Sequence, residues 1–189
     1  MIKKKIITAI FILMLTFCGY SQSNTKVFKD TVVWNPNYVL TKSDFKGKAK
    51  KGLAGMAQTF IYLHTEEKNG NIYFIVEAVL SRTGSFLSSD SDYEFNHEKG
   101  HFDICEIYAR KLRQKIKNKD FLKVKNISKE IAKMYDEVIK KYNEEQEKYD
   151  KQTEHSMNMV QQKVWEEKIA KELKELDAYS STEVDVVNK

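Results

Sequence analysis

The stretch His97-Glu98-Lys99-Gly100-His101 constrains this chain more than any other. On a helix, residues four apart lie one turn up and about 40° round, so both imidazoles can reach one metal ion from the same face. Glu98 then projects from the neighbouring flank. Zinc binds imidazole nitrogen at about 2.0–2.1 Å, and a catalytic zinc site uses three protein ligands and keeps one position open for water. The pentapeptide supplies two such ligands and a carboxylate placed to act as base. The bland alternative is a solvated helix face with two incidental histidines, and the surrounding sequence has to separate the two.

That surrounding sequence is helical. Ser91-Asp92-Tyr93-Glu94 fits a capping box, with Ser91 at the N-cap and Glu94 at the third helical position. Phe102, Cys105, Tyr108 or Ala109, Leu112 and Ile116 recur every three or four residues, which predicts a buried stripe and a helix running to about Lys117. After a break at Asn118-Lys119-Asp120, Ile127, Ile131, Met134, Val138 and Tyr142 mark a second amphipathic helix. Val160, Val164, Trp165, Ile169, Leu173 and Leu176 mark a third. The only proline is Pro36, so nothing in these segments breaks a long helix.

The first half of the chain reads as β-structure. Thr31 to Leu40 is β-prone and interrupted by Pro36, which suits an edge strand. In Leu40 to Gly47, Ser43 and Asp44 are turn or capping residues between the apolar anchors Leu40 and Phe45. Ala54 to Thr65 and Ile72 to Leu80 form a hairpin closed at Asn69-Gly70, with Ile72, Phe74, Val76, Ala78 and Leu80 on the core side. His64, near the end of the first strand, reads as a partly exposed strand residue. The Gly-, Ser- and Asp-rich segment from Arg82 to Asp92 is expected to be a loop.

The N-terminus has its own logic. Lys3 to Lys5 precede an apolar run from Ile6 to Phe17, and small residues follow at Ser21 and Ser23, so residues 1–23 are expected to be a secretory signal peptide. The alternative is lipid attachment at Cys18, which would make the protein an envelope lipoprotein; bulky Phe17 argues for simple cleavage and a secreted or periplasmic product. Membrane association is expected only with that lipid. Without Cys18 the sole remaining cysteine is Cys105, so no internal disulfide is possible. Cys105 continues the row of His101 but lies about 12 Å of helical rise from His97, too far to share its ion. A buried, inert thiol is the better reading. The chain has 189 residues, of which 41% are hydrophobic and 31% charged, enough for one domain with a real core. The formal net charge of +5 includes the three leader lysines, and the other basic residues interleave with acids. That pattern excludes nucleic acid as the expected partner.

A third ligand must come from outside the pentapeptide. The candidates are His155, Asp150, Glu106, Glu144, Glu145 and Glu147. His155 falls between two helices, where a side chain can be aimed at the first; Asp150 is next in order.

Trp34, the block Leu40-Thr41-Lys42-Ser43-Asp44-Phe45-Lys46-Gly47, the block from His97 to Ile104 with Tyr108 to Arg113, and Tyr149-Asp150-Lys151-Gln152-Thr153-Glu154-His155 together resemble a bacterial domain family of predicted secreted zinc-dependent proteases of the zincin type. Lys42 and Phe86 stand where that family leads one to expect Trp, and Ser156 where it leads one to expect Gly. The resemblance implies zinc held by His97, His101 and His155 with Glu98 as general base, and Asp103 and Glu106 as partners that orient the ligand imidazoles or else form surface ion pairs.

The resulting expectation is an α+β domain spanning residues 24–180, with a small antiparallel sheet packed against the histidine-bearing helix and two further long helices, and a polar tail at 181–189. Its expected activity is hydrolysis of a peptide or protein substrate by a Zn2+ metallopeptidase. Tyr149 or Tyr142 would stabilise the oxyanion, and a hairpin edge would hold the peptide. The alternatives are a non-catalytic zinc-containing envelope binding module and a metal-free helical interaction protein.

Overall fold

A computed structural model describes residues 30–68 and 71–185 of the chain. The expected signal peptide, Cys18 and the expected Asn69-Gly70 turn lie outside the described residues. In chain order the elements are β1 (Thr31–Val33), a 3-10 turn (Lys42–Asp44), β2 (Gly55–Met56), β3 (Thr59–Lys68), β4 (Asn71–Ser81), β5 (Phe86–Leu87), α1 (Asp92–Lys117), α2 (Ile127–Thr153), α3 (Met159–Glu175), a second 3-10 turn (Asp177–Tyr179) and β6 (Glu183–Asp185). The class is α+β, with antiparallel sheets and three helices. Among the described residues no helix is long and apolar enough to cross a membrane.

The β3–β4 hairpin is the centre of the main sheet, paired from Thr59↔Leu80 to Lys68↔Asn71. The period-two pattern works as expected: Phe74, Val76, Ala78 and Leu80 are buried in the core with Ile61 from β3. The free edge of β4 is covered in pieces. β1 pairs with Val79 to Ser81 and β6 with Tyr73 to Ile75. Between them the Ala78 carbonyl accepts from the Trp34 backbone N–H, while Val76 donates to the Thr182 carbonyl and accepts from Arg113 Nε at 2.9 Å. At the opposite edge, hydroxyls from α2 do the same work, Tyr135 donating to the Ile61 carbonyl and Tyr142 to the Thr59 carbonyl. No long run of unpaired backbone is left to recruit another strand at these positions.

Helix α1 lies on the inner face of this sheet and is enclosed on its other sides by α2 and α3. Residues Phe102 to Arg110 are almost all buried, so its apolar stripe widens into a full girdle. A girdle cannot exclude the charged residues of the helix, and they are paired instead. Glu106 accepts from Arg110 Nε and Arg113 Nη1, both at 2.8 Å. The guanidiniums complete their hydrogen bonds on the Leu173 and Tyr179 carbonyls. Asp103 accepts from Trp34 Nε1 and Lys99 Nζ. Asp44 is a structural cap as expected, taking hydrogen bonds from the Thr41 N–H, the Tyr38 hydroxyl and Arg82 Nε. Burial pushes its pKa up, and those hydrogen bonds outweigh burial and hold it below the ordinary carboxylate value.

Four expectations are corrected. The segment 54–65 is not one strand: Gly55–Met56 leaves the hairpin to pair with Phe86–Leu87, inside the stretch expected to be pure loop. The segment 181–189 is not merely a polar tail, since Val184 is buried in the core and the strand around it completes the sheet. Val160 and Val164 are not in the buried stripe of α3 but 73% and 52% exposed; Gln162, Trp165 and Ile169 face inward because α3 is turned to bring Gln162 to the site. Asp103 and Glu106 do not orient the imidazoles, being committed to Trp34, Lys99 and the two arginines.

Removing one partner from a buried ion group leaves the others uncompensated, at a cost of about 3–5 kcal/mol. Glu106→Ala is therefore expected to lose that much stability in urea denaturation. A loss below about 1 kcal/mol would show that the two arginines find other partners and that Glu106 does not hold them in place.

Candidate metal centre

The N-terminus of α1 is built much as the capping pattern suggests. Ser91 Oγ accepts the Glu94 backbone N–H, while the Glu94 carboxylate accepts from Ser89 Oγ rather than closing back on the N-cap. The second turn then presents His97, and the third His101, towards α2. Both rings meet Tyr149, which stacks on His97 at 4.6 Å between centroids and 17° between planes, and stands edge-on to His101. This close crossing depends on Gly100. A Cβ there would lie 2.4 Å from the Tyr149 hydroxyl oxygen, so glycine is required for contact with α2 rather than for any unusual backbone angle.

The residue after Tyr149 is thereby delivered to the histidines. Asp150 Oδ1 lies 3.0 Å from His101 Nε2 and 3.2 Å from His97 Nε2, and the two Nε2 atoms are 3.3 Å apart. Ligands about 2.0–2.1 Å from a tetrahedral ion stand about 3.3 Å from each other. The three donor atoms therefore fit one ion of zinc's size, and two imidazoles with a carboxylate is a donor set that suits zinc. This is the one such group of three among the described residues.

Glu98 is buried under β2. A Cβ on Gly55 would lie 2.7 Å from Glu98 Oε1, the Ala57 N–H bonds to the carboxylate, and Oε2 is buried without a hydrogen-bond partner. Burial pushes its pKa up, against the opposing pull of His101 and His97. A buried carboxylate oxygen with no protein partner, one residue along the helix from His97, is a place for a water. For Asp150 burial also pushes up, but the hydrogen bonds and positive charge that His101 and His97 supply when protonated outweigh it and hold the carboxyl well below the usual range. His101 moves in the complementary sense: burial lowers its pKa and the Asp150 carboxylate more than offsets that.

His155 stands just outside this group. Its Nδ1 is 3.6 Å from Asp150 Oδ1 and its side chain is 79% exposed. It sits in a left-handed turn, with φ of 52° at Glu154, 50° at His155 and 72° at Ser156, which reverses the chain between α2 and α3. The glycine expected at 156 is explained by that angle.

Other residues fall as the sequence suggested or away from the site. Cys105 is fully buried, its thiol pushed up to about 12 by burial. His64 contacts Glu66 on the hairpin. Neither tyrosine expected to serve an oxyanion has a free hydroxyl: Tyr149 donates to the His97 carbonyl and Tyr142 bonds to Thr59. The hairpin edge expected to take a peptide is occupied at Thr59 and Ile61 by those α2 tyrosines. The sequence pattern did not single out two residues that touch the histidines. His97 Nδ1 is 3.1 Å from Gln162 Oε1, and His101 Nδ1 is 2.6 Å from Gln146 Oε1. Gln146, Tyr149, Asp150 and Thr153 share one face of α2 at spacings of three and four, and that spacing is the signal that points to Gln146.

A family model described as "Bacterial protein of unknown function (DUF922)" matches residues 94–156. The match covers a third of the chain and contains His97, Glu98, His101, Gln146, Asp150 and His155. No curated protein matches the chain, and no solved structure does.

Two outcomes follow from the close contacts. Glycine to alanine inside a helix ordinarily stabilises by about 0.5–1 kcal/mol. Gly100→Ala is expected instead to destabilise by about 1–3 kcal/mol through the clash with buried Tyr149, a reversal of sign readable in urea denaturation. Conversely Ser156→Gly relieves a left-handed backbone and should raise stability by about 1 kcal/mol in the same assay; a loss would refute the strain.

Proposed function

We propose that the protein is a zincin-like, zinc-dependent peptidase acting outside the cytoplasm on a peptide or protein substrate. The observation that carries this reading is the convergence of His97 Nε2, His101 Nε2 and Asp150 Oδ1 within 3.0–3.3 Å of one another, with the residue after His97 a buried glutamate that keeps one oxygen unpaired. His97, His101 and Asp150 would hold the ion, with His155 the alternative third ligand at 3.6 Å from the same carboxylate. Bound zinc would supply Lewis-acid chemistry, polarising a peptide carbonyl and acidifying a water. Glu98 would serve as the base, its unpartnered oxygen able to hold a proton taken from an attacking water and to pass it to the leaving amine nitrogen, a role its raised pKa suits. β2, whose Gly55 packs on Glu98, is the backbone along which an extended peptide would align.

The second reading is a zinc-containing envelope module without turnover. The burial of Glu98, only 5% exposed beneath β2, favours it. One experiment separates the two. Metal analysis and a peptide-library screen are expected to show about one zinc per chain and cleavage in the wild type. Glu98→Gln should retain the zinc and lose about 10²–10⁴-fold in kcat/KM. Zinc retained with no cleavage by wild type across the library selects the binding module. Zinc loss in Asp150→Ala but not in His155→Ala is expected, and the reverse moves the third position to His155. No zinc in any form removes both readings.

A further inference from the structure

Both glutamines that touch the histidines have the direction of their amide dictated from behind. Gln162 Nε2 lies 3.2 Å from Glu166 Oε1 and 2.9 Å from the Tyr149 hydroxyl. A carboxylate only accepts, so the NH2 end of Gln162 must face Glu166 and its carbonyl must face His97. Tyr149 in turn donates to the His97 carbonyl, which leaves its oxygen free to accept from Gln162. Gln146 is held in the same way. Its Nε2 donates to the His101 backbone carbonyl at 3.1 Å, an obligate acceptor, which commits its Oε1 to His101 Nδ1.

We propose that Gln162 and Gln146 are positioning residues that hold His97 and His101 in the Nδ1–H tautomer, with Glu166 fixing the direction of Gln162. An amide oxygen can only accept, so each Nδ1 must carry a proton, and in the neutral ring each Nε2 then presents its lone pair. Two lone pairs then face each other at 3.3 Å, and a carboxylate oxygen faces both. None of the three atoms donates. Such a set accommodates a cation, and partners behind the ligand imidazoles orient the rings and raise their basicity. The clamp on His97 comes from α3, outside residues 94–156 and with no ligand of its own. The inference rests on reading the site as a zinc centre, but the tautomers can be read without the metal.

The test uses the metal-free, 15N-labelled protein at a pH where its imidazoles are neutral. Long-range 1H–15N correlation distinguishes protonated Nδ1 from protonated Nε2. Wild type is expected to show only Nδ1–H at His97 and His101. Gln162→Met keeps the length of the side chain but removes the acceptor; the Nε2–H form should then appear at His97 alone, and zinc affinity by chelator competition should fall about 10–100-fold. Gln146→Met should do the same at His101. An unchanged tautomer or an affinity within about twofold of wild type overturns the proposal. If Gln162→Met does not fold, exposed Glu166→Gln decides: an amide at 166 no longer dictates direction, so mixed His97 tautomers support the proposal and pure Nδ1–H overturns the role given to Glu166. A wild type that shows both Nδ1–H tautomers yet takes up no zinc sinks the peptidase reading and leaves the clamp standing.

Discussion

The crossing of Tyr149 over Gly100 is the contact on which the rest of this molecule depends. Without a side chain at 100, α1 and α2 approach closely enough for the tyrosine ring to lie flat on His97 and edge-on to His101. Everything next to Tyr149 is placed by that contact. Asp150 follows it in sequence and meets both imidazoles; Gln146, one turn earlier, meets His101; Gln162 reaches its hydroxyl from α3. A ring packed this tightly has no rotamer freedom, so the groups around it are held on rigid elements rather than on loops.

A second constraint works from the opposite side of α1. Glu106, Arg110 and Arg113 put three charges inside the protein, which is tolerable only because every one is paired and hydrogen-bonded. Their outer bonds reach the interior strand of the sheet and the segment that leads into β6. The histidine-bearing helix is thus pinned by apolar contact towards α2 and by polar contact towards the C-terminal segment. The site lies at the N-terminal end of the pinned helix, with β2 against Glu98 and the left-handed turn after α2 beside Asp150.

The helices were legible because each carries a 3.6-residue pattern strong enough to survive packing, and the hairpin because its alternation matches its register. What failed to read was short or polar. Gly55–Met56 and Phe86–Leu87 form a two-stranded sheet with too few residues to show a period. The strand around Val184 has a single buried position. Gln162 gave no signal, and two exposed valines were expected in the core stripe, because a hydrophobicity pattern cannot anticipate that an amide will be drawn inward by an imidazole and a tyrosine.

By itself the sequence determined that His97, Glu98 and His101 occupy adjacent faces of one capped helix, since a spacing of four and the local propensities decide that without any partner. It also determined the buried thiol of Cys105, which follows from the same helical row. Only the tertiary structure decided which group stands third beside the histidines, and the reason is distance along the chain. Asp150 and His155 are both some fifty residues from the pentapeptide, and their relative placement depends on the Tyr149–Gly100 crossing and on a left-handed turn at Glu154 to Ser156. Neither is encoded by a period. The same holds for the two glutamines: an amide has no preferred role until the groups on both of its ends are in place, and those groups come from different helices.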